Sequence, residues 1–440
     1  MTKYFGTDGI RGSYGSQNMN DLLAKKVGWA VGEFLNSKGH LQPLVLIGMD
    51  TRPSGPALKN SLIKGLQSSG ANVFDCGILP TPALSFGILD QKADFGIMIT
   101  ASHNAHTDNG IKCFSERGTK LSQADENMLE ALISKHVELH HAVRPIEKVD
   151  LLEKYSQHIV GFFPKNFLSG LRIALDLANG ATCQTTPTVL KKFGATLFSI
   201  HKGEGVINQD CGSEHLDDLV KLVEEKKADL GIAHDGDGDR VRFVDHQGTI
   251  VDGDQILGLL AKQASHLELL ENSSFVATIH SNSGLADCLK HDEICFHASD
   301  VGDRNVRELM AKVGTNWGGE SSGHIICENY LPTGDGLFAA LSVLLSIHQQ
   351  SSTLAQLAQE IKLWPSQSGS FWVSSKPRIQ DLPPLWDLLE KEKEKLKENG
   401  RILLRYSGTE SKIRLLVEGR TGHMVASCFE SLSQMIQKSL

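Results

Sequence analysis

Ala93-Asp94-Phe95-Gly96-Ile97-Met98-Ile99 and Ala228-Asp229-Leu230-Gly231-Ile232-Ala233-His234 follow one pattern: alanine, aspartate, then an apolar run with glycine in its second place. Short apolar runs of this kind read as buried strands. The first run leads into Thr100-Ala101-Ser102-His103-Asn104 and the second into Asp235-Gly236-Asp237-Gly238-Asp239-Arg240. The likeness extends upstream, where Gly70-Ala71-Asn72-Val73-Phe74 matches Gly194-Ala195-Thr196-Leu197-Phe198. A third unit ends at Asn316-Trp317-Gly318-Gly319-Glu320-Ser321-Ser322-Gly323-His324. Three related units are therefore expected, each presenting a different loop at the end of an equivalent strand. The repeat is too long for a solenoid, which leaves duplicated domains. Ligands of open α/β sheets bind beyond such strand ends.

Other apolar runs, at 44–48, 171–177 and 275–280, each end in a small-residue loop able to start a helix. Strands alternating with helices predict α/β layers with mixed, mostly parallel sheets. After Trp364-Pro365-Ser366-Gln367-Ser368-Gly369-Ser370, a linker by composition, the character changes. The Lys/Glu-rich stretch 386–399 predicts an exposed helix, and the runs 401–406 and 413–418 predict strands flanking a loop. The expected organisation is three related α/β domains over 1–148, 149–253 and 254–366, plus a C-terminal α+β domain over 367–440.

The bulk composition excludes several classes. With 440 residues, 40% hydrophobic and 22% charged, the chain suits a multidomain globular protein. No apolar run is long enough to span a bilayer, and the N-terminus lacks the apolar core of a signal peptide, so a cytoplasmic protein without membrane partners is expected. A net charge of −8 argues against nucleic acid as a partner. The eight cysteines form no CxxC pair and are expected to be free thiols.

The loops carry the chemistry. Asp235, Asp237 and Asp239 do not continue as a calcium-binding EF-hand, because Arg240 and His246 stand where Gly and Glu are needed. A solvated turn is the plain alternative. Three crowded carboxylates repel one another, however, and a cation relieves that repulsion. An all-oxygen set with an open position suits Mg²⁺. Ser102 alone would be a helix cap or turn residue. Its neighbours suggest more: Asp108-Asn109-Gly110 predicts a hairpin turn that folds Lys112 back beside the loop. An ammonium there can neutralise a phosphate or move a proton. His103 is expected to be structural. Glu320 and Ser322, on a glycine-rich loop with His324, suit sugar hydroxyls, although a tight turn would have the same composition. Arg405-Tyr406-Ser407-Gly408-Thr409, with Lys412 and Arg414, reads as an anion cradle. Arg11 lies on a further glycine-rich loop, Phe5-Gly6-Thr7-Asp8-Gly9-Ile10-Arg11-Gly12.

Taken together, these loops resemble the α-D-phosphohexomutase superfamily almost end to end, with its four signatures in order: residues 100–104, 235–240, 319–324 and 405–410. Residues 5–12, 207–213 and 301–304 resemble the branch acting on glucosamine phosphates. The resemblance implies a heart-shaped molecule around a central cleft and a phosphorylated Ser102. It implies one Mg²⁺ held by Ser102, Asp235, Asp237 and Asp239, and a catalytic set of Ser102, Lys112, Arg11, Arg240 and His324. Glu320 and Ser322 would contact the sugar, and Arg405, Ser407, Gly408, Thr409 and Arg414 the distal phosphate. The implied reaction is the reversible conversion of glucosamine 6-phosphate to glucosamine 1-phosphate, feeding UDP-N-acetylglucosamine and cell-wall precursor synthesis. Glucosamine or glucose 1,6-bisphosphate would be the activator, a small sugar phosphate the partner, and the enzyme a monomer or homodimer. The alternatives are a phosphomannomutase or phosphoglucomutase of the same superfamily, a magnesium-dependent phosphatase, and a silent sugar-phosphate binder. Two departures stand out: Ala105 and Ser411 occupy positions where the family usually has proline.

Overall fold

The computed structural model describes residues 4–6, 8–135, 144–407 and 411–440. The chain forms two compact units. One runs to His280 and resumes over Glu293–Glu360; the other comprises Ser281–Asp292 and Ile361–Leu440.

The first unit contains three sheets. The first is built from β1 (Phe5–Gly6), β2 (Gly9–Ser13), β3 (Leu44–Met49), β4 (Asn72–Ile78), β5 (Phe95–Ile99), β6 (Asp108–Ser115) and β7 (Glu147–Lys148), in the order β1-β2-β6-β5-β3-β4-β7. The second has β8 (Arg172–Asp176), β9 (Thr196–Ile200), β10 (Leu230–His234), β11 (Val241–Asp245) and β12 (Ile250–Val251), ordered β12-β11-β10-β8-β9. The third has β13 (Ser274–Thr278), β14 (Cys295–Ser299), β15 (Trp317–Gly319), β16 (Ile325–Cys327) and β17 (Leu331–Gly334), ordered β14-β13-β15-β16-β17.

The sheets share one plan. Strands β5, β3 and β4 run parallel with β6 antiparallel beside β5. Strands β10, β8 and β9 are parallel with β11 antiparallel beside β10. Strands β15, β13 and β14 are parallel with β16 antiparallel beside β15. The serine loop joins β5 to β6, the aspartate loop β10 to β11, and the glutamate loop β15 to β16. The repeat seen in sequence is thus a repeat of topology, and it puts the three loops at equivalent strand ends. Strands β3, β5 and β10 are apolar along nearly their whole length because helices cover parallel sheets.

The expected turn at Asn109-Gly110 does not form. Both residues lie inside β6, with Gly110 opposite Arg11 and Asn109 opposite Gly12 on β2. Glycine is needed here for close approach rather than for turning: a Cβ on Gly110 would sit 2.3 Å from the Thr100 carbonyl oxygen. Lys112 still returns to the loop, because antiparallel β6 places it opposite Met98 on β5.

The second unit is α+β. Its sheet, β18 (Ser366–Trp372), β20 (Lys412–Gly419) and β19 (Gly400–Tyr406), is antiparallel throughout. The expected exposed helix spans Pro383–Leu396 and buries Leu385, Leu389 and Leu396, so one face belongs to the core of this unit with Ile413, Leu415, Val417 and Leu432.

Candidate active site

Ser102 sits in left-handed backbone, φ 54°, an unfavourable region for a residue with a Cβ. The surrounding loop enforces it. Ser102 N–H donates to Thr100 Oγ1 at 2.8 Å. The buried Arg52 guanidinium donates to the carbonyl oxygens of Ser102, Asn104 and Asp108 at 2.8 Å each and of Ala105 at 2.5 Å. Asp50 Oδ2 receives Arg52 Nε at 3.0 Å, and it also receives the Thr100 hydroxyl at 2.6 Å. Asn208, from the loop that follows β9, adds an amide donor to Ser102 O at 2.6 Å and to Asn104 O at 3.0 Å.

The aspartate loop meets this serine directly. Ser102 Oγ donates to Asp235 Oδ2 at 2.5 Å and lies 3.2 Å from His103 Nδ1. Burial, with Arg240 and Arg11 nearby, pushes His103 down to about 4, so its ring is neutral at physiological pH. Carboxylate oxygens of Asp235, Asp237 and Asp239 lie within 4.8 Å of one another, and all three residues are buried. Gly238, at φ 73°, supplies the left-handed turn that brings the second and third carboxylates to one side. Asp237 is anchored by Thr81, whose hydroxyl donates to Oδ2 at 2.5 Å and whose N–H donates to the Asp237 carbonyl at 2.9 Å.

This much buried negative charge needs compensation. Lys112 Nζ lies 2.8 Å from Asp237 and 2.9 Å from Asp239. Burial alone would lower Lys112, but Asp237, Asp239 and Asp8 outweigh it and hold the ammonium well above its usual range. Burial and the two neighbouring aspartates push Asp235 well above the carboxylate range. Asp239 goes the other way: Lys112 and His324 overcome its burial and keep it ionised. Asp237 Oδ1 and Asp239 Oδ1 are buried and accept no hydrogen bond from the described residues. Two unsatisfied carboxylate oxygens beside a third carboxylate and a serine hydroxyl fit a hard divalent cation.

The third loop joins the second through an antiparallel bridge between Arg240 and His324. Glu320 Oε1 accepts Gly302 N–H at 2.9 Å. A cavity of about 380 Å³ opens between Asp8, Arg11, Lys120, Asp239, Arg240 and the Glu320–His324 loop, a size suited to a small metabolite. Around it, Arg11 Nε, Arg240 Nε, Ser322 Oγ and His324 Nε2 are buried and find no hydrogen bond among the described residues. Such atoms are rare in folded proteins, and their convergence marks a place for a polar ligand.

The first unit therefore brings together Ser102, Lys112, Arg11, Arg240, His324, Glu320, Ser322 and the three aspartates. Arg405, Ser407 and Arg414 belong to the second unit. There Arg405 on β19 lies directly opposite Arg414 on β20, and Ser407 N–H closes the hairpin on Lys412 O at 2.8 Å. Gly408 and Thr409 lie outside the described residues. Several polar residues of the site had no role assigned from sequence, although Asp8, Asn208 and Asp303 lie in the stretches 5–12, 207–213 and 301–304. Lys120 pairs with both Asp8 and Asp303, and Asp303 Oδ2 is 3.5 Å from His324 Nε2. Arg52 and Asn208 stood in strand-end loops that were visible, but their partners are 50 or more residues away.

Known proteins share the sequence pattern and the fold. Residues 2–140, 153–248 and 252–363 match the phosphoglucomutase/phosphomannomutase alpha/beta/alpha domains I, II and III, and 373–434 match the C-terminal domain of that family. A phosphoglucosamine mutase of Hamiltonella defensa is 41% identical, over 100% of this chain and 99% of that protein. One from Nautilia profundicola is 39% identical, with 100% of both chains covered. Among solved structures, a phosphoglucomutase/phosphomannomutase family protein from Burkholderia thailandensis superposes with a TM-score of 0.82 at 22% identity, covering 100% of this chain and 98% of that one. An Aspergillus fumigatus N-acetylphosphoglucosamine mutase, solved with GlcNAc-6P and magnesium, gives 0.67 at 15% identity, covering 100% and 96%. The chain belongs to the phosphoglucomutase/phosphomannomutase family and, within it, to the phosphoglucosamine mutases. It is an isomerase of the phosphotransferring kind.

Proposed function

We propose that the chain interconverts glucosamine 6-phosphate and glucosamine 1-phosphate, with Ser102 as the phosphoryl carrier. The bond from phosphorus to Ser102 Oγ breaks as one to sugar O1 forms, and the proton lost from O1 is balanced by one taken up at Ser102 Oγ, which returns to a hydroxyl. The product, a 1,6-bisphosphate, turns over within the site. Its 6-phosphoryl then passes to Ser102 Oγ, leaving glucosamine 1-phosphate. A trace of 1,6-bisphosphate serves as activator by phosphorylating an unmodified Ser102.

The observation that carries this reading is the 2.5 Å hydrogen bond from Ser102 Oγ to Asp235, at the edge of three buried carboxylates. Asp235, Asp237, Asp239 and the phosphorylated serine would hold Mg²⁺, which supplies charge neutralisation to the transferring phosphoryl group. Such transfer depends on alignment and charge placement. Arg11, Arg240 and His324 spread developing negative charge. Lys112 adds to it and is the proposed group for proton transfer. Glu320 and Ser322 take sugar hydroxyls, and Arg405, Ser407, Gly408, Thr409 and Arg414 take the distal phosphate. The domain spans 1–148, 149–253, 254–366 and 367–440 are supported by four family matches that follow nearly the same divisions.

Intact mass should show a fraction of the protein carrying one phosphate, absent in Ser102→Ala. Glucosamine, glucose and mannose 6-phosphates, each assayed with a trace of 1,6-bisphosphate, should rank glucosamine first. Full mutase activity in Ser102→Ala would remove the carrier role. A higher kcat/KM on glucose or mannose phosphate would reassign the substrate.

A further inference from the structure

A second cluster of ligand-type side chains, distinct from the three aspartates of the 235–240 loop, stands at the C-terminal end of the second sheet. Asp176 closes β8, His201 follows β9, and Cys211 precedes the short turn Gly212–Glu214. Strands β8 and β9 are parallel with Asp176 opposite Ile200, so the carboxylate and the imidazole emerge side by side. One carboxylate oxygen, one imidazole nitrogen and Sγ lie within 4.8 Å of one another; Asp176 and Cys211 are buried and His201 is half-buried.

Local hydrogen bonding explains Asp176, whose oxygens accept the N–H groups of Ala178 and Gly212 at 2.9 Å each. It does not explain His201. Its Nδ1 is buried and makes no hydrogen bond among the described residues, although Asp176 Oδ2 is 3.1 Å away. Cys211 Sγ meets the Asn179 amide at 3.9 Å, a weak sulfur contact.

We propose that Asp176, His201 and Cys211 form a second metal site, one that takes a thiophilic divalent cation such as zinc. Carboxylate, imidazole and thiolate are the zinc ligand set, and three protein ligands leave a position for water. Magnesium does not take thiolate or imidazole when oxygen ligands are at hand, so the two sites sort cations by softness. On binding, the Cys211 S–H bond is exchanged for a sulfur–metal bond and the proton goes to solvent. The site would fasten the 201–212 segment. Asn208 lies in that segment, donates N–H to Ala178 O at 3.0 Å, and holds the Ser102 carbonyl through its side chain. The staple therefore braces the serine loop from behind without touching the reacting oxygen.

Cobalt(II) tests this on the full chain, stripped of metal and then saturated with magnesium. A sulfur-to-cobalt charge-transfer band in the near ultraviolet should grow to one equivalent. It should persist in Asp237→Asn and disappear in Cys211→Ser. His201→Ala, which keeps the thiol, should weaken the titration roughly tenfold or more. Circular dichroism checks that all three variants are folded. The site is overturned if the native protein shows no such band at excess cobalt, if the band survives Cys211→Ser, or if folded His201→Ala titrates like the native chain.

Discussion

Arg52 Nη2 donates to the backbone oxygen of Ser102 at 2.8 Å from a guanidinium that is 1% exposed. The family's proline is missing three residues on, at Ala105. Here the loop is shaped from outside, by one cation that gathers four carbonyl oxygens. Arg52→Lys keeps the charge but cannot reach all of them. We expect a loss of about 2–4 kcal/mol in unfolding free energy, because buried carbonyls lose charged donors. Turnover should fall by more than the unfolded fraction explains. Urea unfolding read beside the initial rate decides this; a lysine variant with native stability and rate would show that the clamp is dispensable.

Lys112 is the counter-charge of the tripod. Lys112→Met leaves Asp237 and Asp239 buried without it, a change that costs about 3–5 kcal/mol in comparable pairs. Millimolar Mg²⁺ should recover part of that loss, because the freed oxygens can then bind the ion. Melting temperatures with and without Mg²⁺ test the point. An equal deficit in both conditions would count against a shared role for these carboxylates.

Asp335 caps the helix Gly336–Gln350 through the N–H groups of Leu337 and Phe338, and accepts the hydroxyls of Tyr155 and Tyr330 at 2.8 and 3.0 Å. Burial raises it to about 6. The unfolded carboxyl titrates near 3.9. Folding thus favours the protonated form. The associated stability is complete below about pH 4 and is lost as pH rises through about 6. Asp335→Asn keeps an oxygen for the cap and cannot ionise. Relative to the native chain it should gain about 2 kcal/mol between pH 4 and 7. Unfolding midpoints at both pH values measure this difference; an offset independent of pH would contradict the assignment.

Arg405 and Arg414 face each other across β19 and β20, an arrangement that like charges disfavour and an anion relieves. Arg405→Ala should raise KM for a sugar phosphate by about 10–100-fold, the worth of one charged hydrogen bond. Stability should change by less than about 0.5 kcal/mol, because the side chain is exposed. A variant that loses folding and binding together would assign Arg405 to the scaffold.

The parts that were readable in sequence are those encoded locally. The runs at 93–99 and 228–234 announced equivalent strands, and the loops after them carried the hydroxyl and the carboxylates. Asn109-Gly110 misled because its turn chemistry is also what a strand needs when a neighbouring carbonyl comes within 2.3 Å of a would-be Cβ. The helix at Pro383–Leu396 looked exposed because lysine and glutamate dominate its composition, while three leucines on one side bury it. Asp8, Lys120 and Asp303 were invisible as a set: a charged residue beside glycine is common, and pairing across 112 residues between Asp8 and Lys120 leaves no local mark. Arg52 had no apolar periodicity or motif to announce a buried guanidinium.

Three sheets of one plan each carry a loop after an equivalent strand, and the three loops meet in sequence: Ser102 touches Asp235, and Arg240 bridges His324. On the proposed roles, exchange of the side chains at Glu320 and Ser322 would retune which hexose is accepted while Ser102 and the three aspartates, rooted in other sheets, keep their geometry. Preference for a sugar and competence for transfer are in that sense separately adjustable, and a library confined to residues 320–322 is the economical place to look for altered selectivity.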